Sequence, residues 1–160
     1  MRIPKTINYI DHKFMRGDCI LSPTRLYHLK KQGVTQVIDL RNENKVKKGI
    51  EKLLCKVLNI EYINKPLSFR SKDFPTRGFF ENINQLISEN NGTTYLHCKN
   101  GKHRTGLCVA AYEKEILHKS NPEIIHNLYT DSFSDLVKNG KKRESLTDAL
   151  SKFAKCFDLR

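Results

Sequence analysis

Apolar residues recur along this chain in two rhythms, and the switching between them sets out the expected elements. Leu26 and Leu29 give a buried side to a short helix that opens at Ser22-Pro23, an N-cap followed by proline at the first helical position, and stops at Gly33. The β-branched run Gln36-Val37-Ile38-Asp39-Leu40 then reads as a strand. Ile50, Leu53, Leu54, Val57 and Leu58 return to helical spacing, which predicts an amphipathic helix over residues 44–58 with those side chains on its apolar face. Tyr62-Ile63 suggests another short strand, and the stretch from Asn64 to Gly78, with Pro66 and Pro75, has no period and reads as a loop. Phe79, Phe80, Ile83, Leu86 and Ile87 mark a helix closed by Asn91-Gly92. Thr93-Thr94-Tyr95-Leu96-His97 is a strand that runs straight into Cys98. After Gly106, Leu107, Val109, Ala110, Ala111, Ile116 and Leu117 are helical; Asn121-Pro122 caps a further helix through Leu128. Leu146, Ala149, Leu150, Phe153 and Phe157 outline a terminal one.

Strands alternating with helices predict an α/β fold with a central, mainly parallel sheet flanked by helices. No repeat, low-complexity tract or linker interrupts the composition, so residues 1–160 are expected to form a single domain. Ligands of such sheets bind at the carboxyl ends of strands, beside helix N-termini, and Tyr95 to Gly106 has that strand–loop–helix layout.

Composition narrows the picture further. A hydrophobic content of 38% and 9% aromatics suit a globular core. No run approaches the ~18 apolar residues of a membrane span. Met1-Arg2-Ile3-Pro4-Lys5 lacks the apolar centre of a secretory signal, so the expected compartment is the cytoplasm. Five cysteines (Cys19, Cys55, Cys98, Cys108 and Cys156) are odd in number and follow no CxxC spacing, and six scattered histidines do not complete a zinc framework. No metal or other cofactor is expected, and no disulfide scaffold. The net charge of +12, from 29 Lys+Arg against 17 Asp+Glu, favours anionic partners: nucleic acid, an acidic membrane surface or phosphorylated molecules. A lysine-, asparagine- and isoleucine-rich composition produces such a charge without any partner, so charge alone does not choose among them.

The chemistry concentrates in His97-Cys98-Lys99-Asn100-Gly101-Lys102-His103-Arg104-Thr105-Gly106. A loop between strand and helix can curl so that successive backbone N–H groups form an anion nest. Gly101 permits the sharp turn, and the following helix adds its positive dipole end. Arg104 supplies a planar fork for two phosphate oxygens. The same field stabilises a Cys98 thiolate, which can attack phosphorus and form a phosphocysteine. Thr105 is placed to donate its hydroxyl to the sulfur, and His97 to buttress the loop backbone. The plainer alternative, a buried cysteine beside a solvated basic turn, does not account for a cysteine and an arginine five residues apart with a glycine between, a hydroxyl and glycine after, and a strand before.

This segment resembles the Cys-x5-Arg signature of the protein tyrosine phosphatase superfamily. Its wording, His-Cys-x-x-Gly-Lys-His-Arg-Thr-Gly, is most similar to the atypical dual-specificity phosphatases of plants and fungi and to related bacterial phosphatases. Phe14-Met15-Arg16-Gly17, the helix ending at Gly33 and Val37-Ile38-Asp39-Leu40-Arg41 look like that family's lead-in to its sheet, so the likeness extends from about Phe14 to Leu136. The resemblance implies a dual-specificity-phosphatase-like fold and a metal-free hydrolase of phosphomonoesters or phosphoanhydrides. Family substrates include phosphotyrosine and phosphoserine proteins, phosphoinositides, inositol polyphosphates and inositol pyrophosphates. The phosphate-binding residues it implies are Lys99, Asn100, Gly101, Lys102, His103 and Arg104.

Lys99 and Lys102 resemble lysines that meet additional phosphates in the phosphatase-and-tensin-homologue lipid phosphatases. Read from residues alone, they equally suit any exposed basic loop. His103 has three readings: a contact to substrate, to loop backbone, or to water. The family's general acid sits ~30 residues before the cysteine, where this chain has Pro66-Leu67-Ser68 and no carboxylate. Asp73 is the nearest candidate acid, with an exposed turn aspartate as its plain reading; Glu61 and Asp131 lie further from the pattern. Asp39 and Arg41 are expected to be structural, with Arg41 bridging loops. Cys55 and Cys108 are expected in the core, where either can serve as a resolving thiol if it lies near Cys98. Two other classes stand beside the enzyme. One is a catalytically weak module that binds phosphorylated partners, supported by the missing conventional acid. The other is an RNA 5′-phosphatase or RNA binder, motivated by charge but lacking aromatic-interleaved basic strands. Sulfur transfer suits Arg104-Thr105-Gly106 less well.

Overall fold

Strands β1 (Asn8–Tyr9), β2 (Phe14–Gly17), β3 (Val34–Asp39), β4 (Glu61–Asn64) and β5 (Thr93–His97) hydrogen-bond into one sheet in the order β1-β2-β5-β3-β4. The computed structural model describes residues 7–160. Met1–Lys5, read above as lacking a signal-like apolar centre, lie outside the described residues, as do the first residues of the expected 1–160 domain. Within this sheet all pairings are parallel except β1 with β2, so the expected α/β fold with a mainly parallel sheet is what forms. The described chain divides into two compact units, residues 7–66 with Leu86–Gly101, and Leu67–Gln85 with Lys102–Arg160.

The first unit holds the sheet. Every residue of β2 and β5 is buried, as in parallel strands covered on both faces, although Arg16, Thr93, Thr94 and His97 break the apolar run. Helix α1 (Pro23–Lys31) buries Leu26 and Leu29 as the pattern predicts, although the Ser22 side chain makes no capping bond. Those leucines join Met15, Ile20, Val37 and Tyr95 in the core. Helix α2 (Lys45–Val57) starts one residue after Asn44, whose side chain accepts from Lys47 N–H.

Here the structure corrects the sequence reading. Only one edge of the predicted apolar face of α2 is covered: Leu54 and Leu58, half-buried, pack against the core, whereas Ile50, Leu53 and Val57 are exposed, and the helix fully buries Glu51 and Cys55. The reason is electrostatic. Glu51 is the partner of two cationic side chains within this unit, and that pairing fixes the helix rotation.

The second unit is helical. Helix α3 (Arg77–Glu89), whose residues from Leu86 onward are counted with the first unit, leaves the expected loop one residue before Gly78, and that loop contains a single 3₁₀ turn at Ser71–Asp73. Helix α4 (His103–Glu115) is buried along most of its length. Helix α5 (Asn121–Asn127) is capped by Ser120 and runs on into a π-turn over Leu128–Ser132 that periodicity did not foresee. A two-stranded ribbon follows, β6 (Val137–Lys138) with β7 (Lys141–Lys142), and then α6 (Glu144–Cys156). The rings of Phe80, Phe153 and Phe157 pack with centroids 4.7–5.7 Å apart.

Candidate active site

β5 is central in the sheet, between β2 and β3, and it delivers Cys98 directly from its carboxyl end. Cys98 is buried, while the next residues, Lys99 and Asn100, are exposed. Three hydrogen bonds fix the backbone around them: Leu40 N–H donates to the His97 carbonyl (2.9 Å), Cys19 N–H to the Lys99 carbonyl (3.2 Å), and the buried Arg16 guanidinium to the Gly101 carbonyl (2.9 Å). Gly101 has φ +67°, and a Cβ there would stand 2.3 Å from the Gly17 carbonyl group. Only glycine fits this turn, for both conformational and steric reasons. The requirement reaches back to Gly17, where a Cβ would lie 2.1 Å from the Tyr95 hydroxyl oxygen.

Beneath the strand end lies a buried ion network. Arg41 donates to both oxygens of Asp39 (2.9 Å from Nε to Oδ1 and 2.7 Å from Nη2 to Oδ2) and to Glu51 Oε2 (2.6 Å). Tyr62 donates its hydroxyl to Asp39 Oδ2 at 2.6 Å. His97 faces an acceptor at each ring nitrogen: Glu51 Oε1 lies 2.5 Å from Nε2, and the Cys98 carbonyl lies 2.9 Å from Nδ1. A ring with two acceptors is satisfied only as imidazolium. Burial works against that charge, but the Glu51 hydrogen bond and the Glu51 and Asp39 charges outweigh it, so the His97 pKa stands above its ordinary value. For Asp39 too burial opposes ionisation, and the Arg41 bonds and the His97 charge overcome it, which holds the carboxyl below its usual range. Two anions and two cations balance. The donor atoms of Asp39, Glu51 and His97 also lie within 4.8 Å of one another, a spacing that suits a metal ion. Both carboxylates are nevertheless engaged by Arg41, which serves as the cation.

The second unit begins in the same loop. Exposed Lys102 caps α4 with φ −104°, and its carbonyl accepts from Gly106 N–H at 2.6 Å. Arg104 sits half-buried in the first turn of α4, the placement the motif asks for beside a helix N-terminus. Thr105 is fully buried, and its hydroxyl has no hydrogen-bond partner among the described residues. Asp73 is exposed in the 3₁₀ turn, and Asp131 is exposed in the π-turn. Glu61 accepts from the Gln36 side chain at 3.1 Å.

Residues 6–148 match the family described as PTP-NADK, DSP-PTPase phosphatase fused to NAD+ kinase. The chain belongs to this family. It is a cysteine-dependent phosphatase of the protein tyrosine and dual-specificity superfamily, a phosphoric monoester hydrolase. Solved structures share its fold. TpbA of P. aeruginosa superposes with a TM-score of 0.69 at 14% identity, over 100% of this chain and 97% of that one. PTPMT1 gives 0.67 at 22% identity, over 95% and 96%. The catalytic core of S. cerevisiae SIW14, described as a PP-IP phosphatase, gives 0.68 at 13% identity, over 98% and 94%. Another structure of TpbA is a complex with pTyr.

Several groups near the motif of this phosphatase escaped the sequence reading. His103 is not idle: Nε2 lies 2.7 Å from Asp135 Oδ1, and Arg143 donates to the other Asp135 oxygen at 2.8 Å. The His103 bond above all holds the Asp135 carboxyl below its ordinary pKa, against a smaller burial effect. No spacing rule links residues 103 and 135, so the pairing had no local signal. Glu51 and Arg16 were hidden for the same reason, each looking like a surface charge in its own element. Burial pushes the Cys55 thiol up to about 12, with the Glu51 and Asp39 charges adding to it, so Cys55 is a poor resolving thiol.

Proposed function

We propose that this phosphatase acts on a substrate carrying several phosphates, an inositol polyphosphate or a phosphoinositide, through a phosphocysteine on Cys98. The observation that carries the reading is the pair of exposed lysines, Lys99 and Lys102, on either side of a glycine turn that no other residue can occupy. Charges held beside such a turn favour a ligand with phosphates beyond the one being cleaved. The likeness in fold to a PP-IP phosphatase supports the same choice.

In the first step the Cys98 sulfur attacks phosphorus, the S–P bond forms, and the bond to the leaving oxygen breaks. Arg104 holds two non-bridging oxygens, and the backbone N–H groups with the α4 N-terminus hold the remaining charge. Asp73 donates the proton that the leaving oxygen takes. Water then attacks the phosphocysteine, its proton passes to the Asp73 carboxylate, and the S–P bond breaks to give inorganic phosphate and thiolate. Thr105, whose buried hydroxyl has no partner among the described residues, donates to the departing sulfur. Where the leaving group is itself a phosphate, little acid assistance is needed, which suits the absence of a carboxylate at Pro66-Leu67-Ser68.

The test is phosphate release from matched phosphopeptides, phosphoinositides, inositol polyphosphates and RNA ends. The expected order places the multiply phosphorylated compounds first. Lys99→Ala with Lys102→Ala should raise their KM by about tenfold and leave an aryl phosphate almost unchanged. Best turnover of a singly phosphorylated peptide, indifferent to both lysines, contradicts this substrate class. Asp73→Asn should slow a poor leaving group by about a hundredfold and spare an activated one. An undiminished rate on the poor leaving group rules out Asp73 as the acid.

A further inference from the structure

The inner and outer faces of α2 do different work. Inward, Glu51 ties the helix to Arg41 and His97, one residue before the nucleophile. Outward, Val46, Ile50, Leu53 and Val57 form a continuous stripe on one side of the helix, with exposures of 74%, 48%, 61% and 73%. Scattered exposed apolar residues need no explanation, but four aligned along a helix face in a lysine-rich protein do. Every exposed charge within α2 is positive. Lys45, Lys52 and Lys56 line one side of the stripe and Lys47 the other, while the helix's one acid, Glu51, is fully buried. The neighbouring helix α1 adds Lys30, which donates to the Leu58 carbonyl at the end of α2.

We propose that this face docks on an anionic lipid surface, with the aliphatic stripe in the interface and the lysines reaching the headgroups. Sequence and exposure give both components of such binding: an apolar ridge without acids within the helix, and exposed cations at helix positions on either side of it. Pairing with a second copy through the same face would oppose the lysines of one α2 to those of the other, so charge disfavours it. No helix among the described residues is long and apolar enough to cross a membrane, and docking on a surface requires none. This inference stands apart from the choice of substrate. Through Glu51, it places the docking helix and the end of β5 in one bonded network of the first unit.

The test is co-sedimentation of the full chain with vesicles of phosphatidylcholine alone and of phosphatidylcholine containing one quarter phosphatidylserine. The protein should pellet with the second and remain in solution with the first, and the binding should weaken as salt rises. Ile50→Asp with Leu53→Asp should lower vesicle affinity by about tenfold or more, as should Lys45, Lys47, Lys52 and Lys56 all changed to Gln. Both variants should hydrolyse a soluble aryl phosphate as the wild type does, which shows that they fold. Three results overturn the proposal. One is a wild type that ignores serine-containing vesicles. Another is an aspartate variant that binds them undiminished. The third is a wild-type dimer, detected by light scattering, that the aspartate variant dissolves; this would assign the face to self-association. Failure to bind vesicles together with tight binding of an acidic amphipathic peptide assigns it to a protein helix instead.

Discussion

His97 meets an acceptor at both ring nitrogens, and its protonation is therefore bound up with folding. Its folded pKa is raised above the ordinary 6.5. The stability this contributes is complete below about 6.5 and is lost as pH rises through the higher folded value. Asp39 has the opposite sign. Its depressed pKa contributes stability above the ordinary 3.8 that is lost as pH falls through the folded value. Urea unfolding followed across pH should accordingly show an alkaline decline. Glu51→Gln should flatten that decline and cost about 3–5 kcal/mol near neutral pH, because it leaves Arg41 and His97 under-compensated in the interior. Matching alkaline limbs in the two proteins would contradict the network. Gly101→Ala is the second test at this scale: a positive φ and a backbone clash together should lower kcat/KM by more than about tenfold, with circular dichroism unchanged.

At the scale of elements, α1 and α2 show what an apolar period tells and what it omits. Leu26 and Leu29 were expected to be buried and are buried, since α1 offers the sheet no other apolar side. For α2 the same rule found the helix and the Leu54–Leu58 edge that meets the core, but not that Glu51, a charged residue, turns inward because Arg41 and His97 need an anion there. Periodicity marks an apolar stripe but cannot say whether the protein itself covers it. Thermal or urea denaturation can check the difference. Leu26→Ala should cost about 2–5 kcal/mol, whereas Leu53→Ser should stay within about 0.5 kcal/mol of wild type. The loop motif was legible because its residues are contiguous, so strand, cysteine, glycine and arginine could be read together. The partners that support it, Arg16, Glu51 and Asp135, come from distant segments joined only by folding. The π-turn after α5 and the short β6–β7 ribbon were equally hidden, being too brief to establish a period.

At the scale of the whole molecule, the family assignment, the α/β fold and the +12 charge point to one kind of ligand, an anion drawn to the end of a parallel strand. An excess of cations over the entire chain predicts that KM for a multiply phosphorylated substrate rises with ionic strength more steeply than KM for an aryl phosphate. Both rest on a sulfur nucleophile. The direct test is to quench turnover in acid within the first cycle, digest the protein, and locate the phosphoryl group by mass spectrometry. It should be found on the peptide that contains Cys98 and be absent from Cys98→Ser, which should also release no phosphate. Continued turnover by Cys98→Ser, or a phosphoryl group on any other residue, would contradict the account.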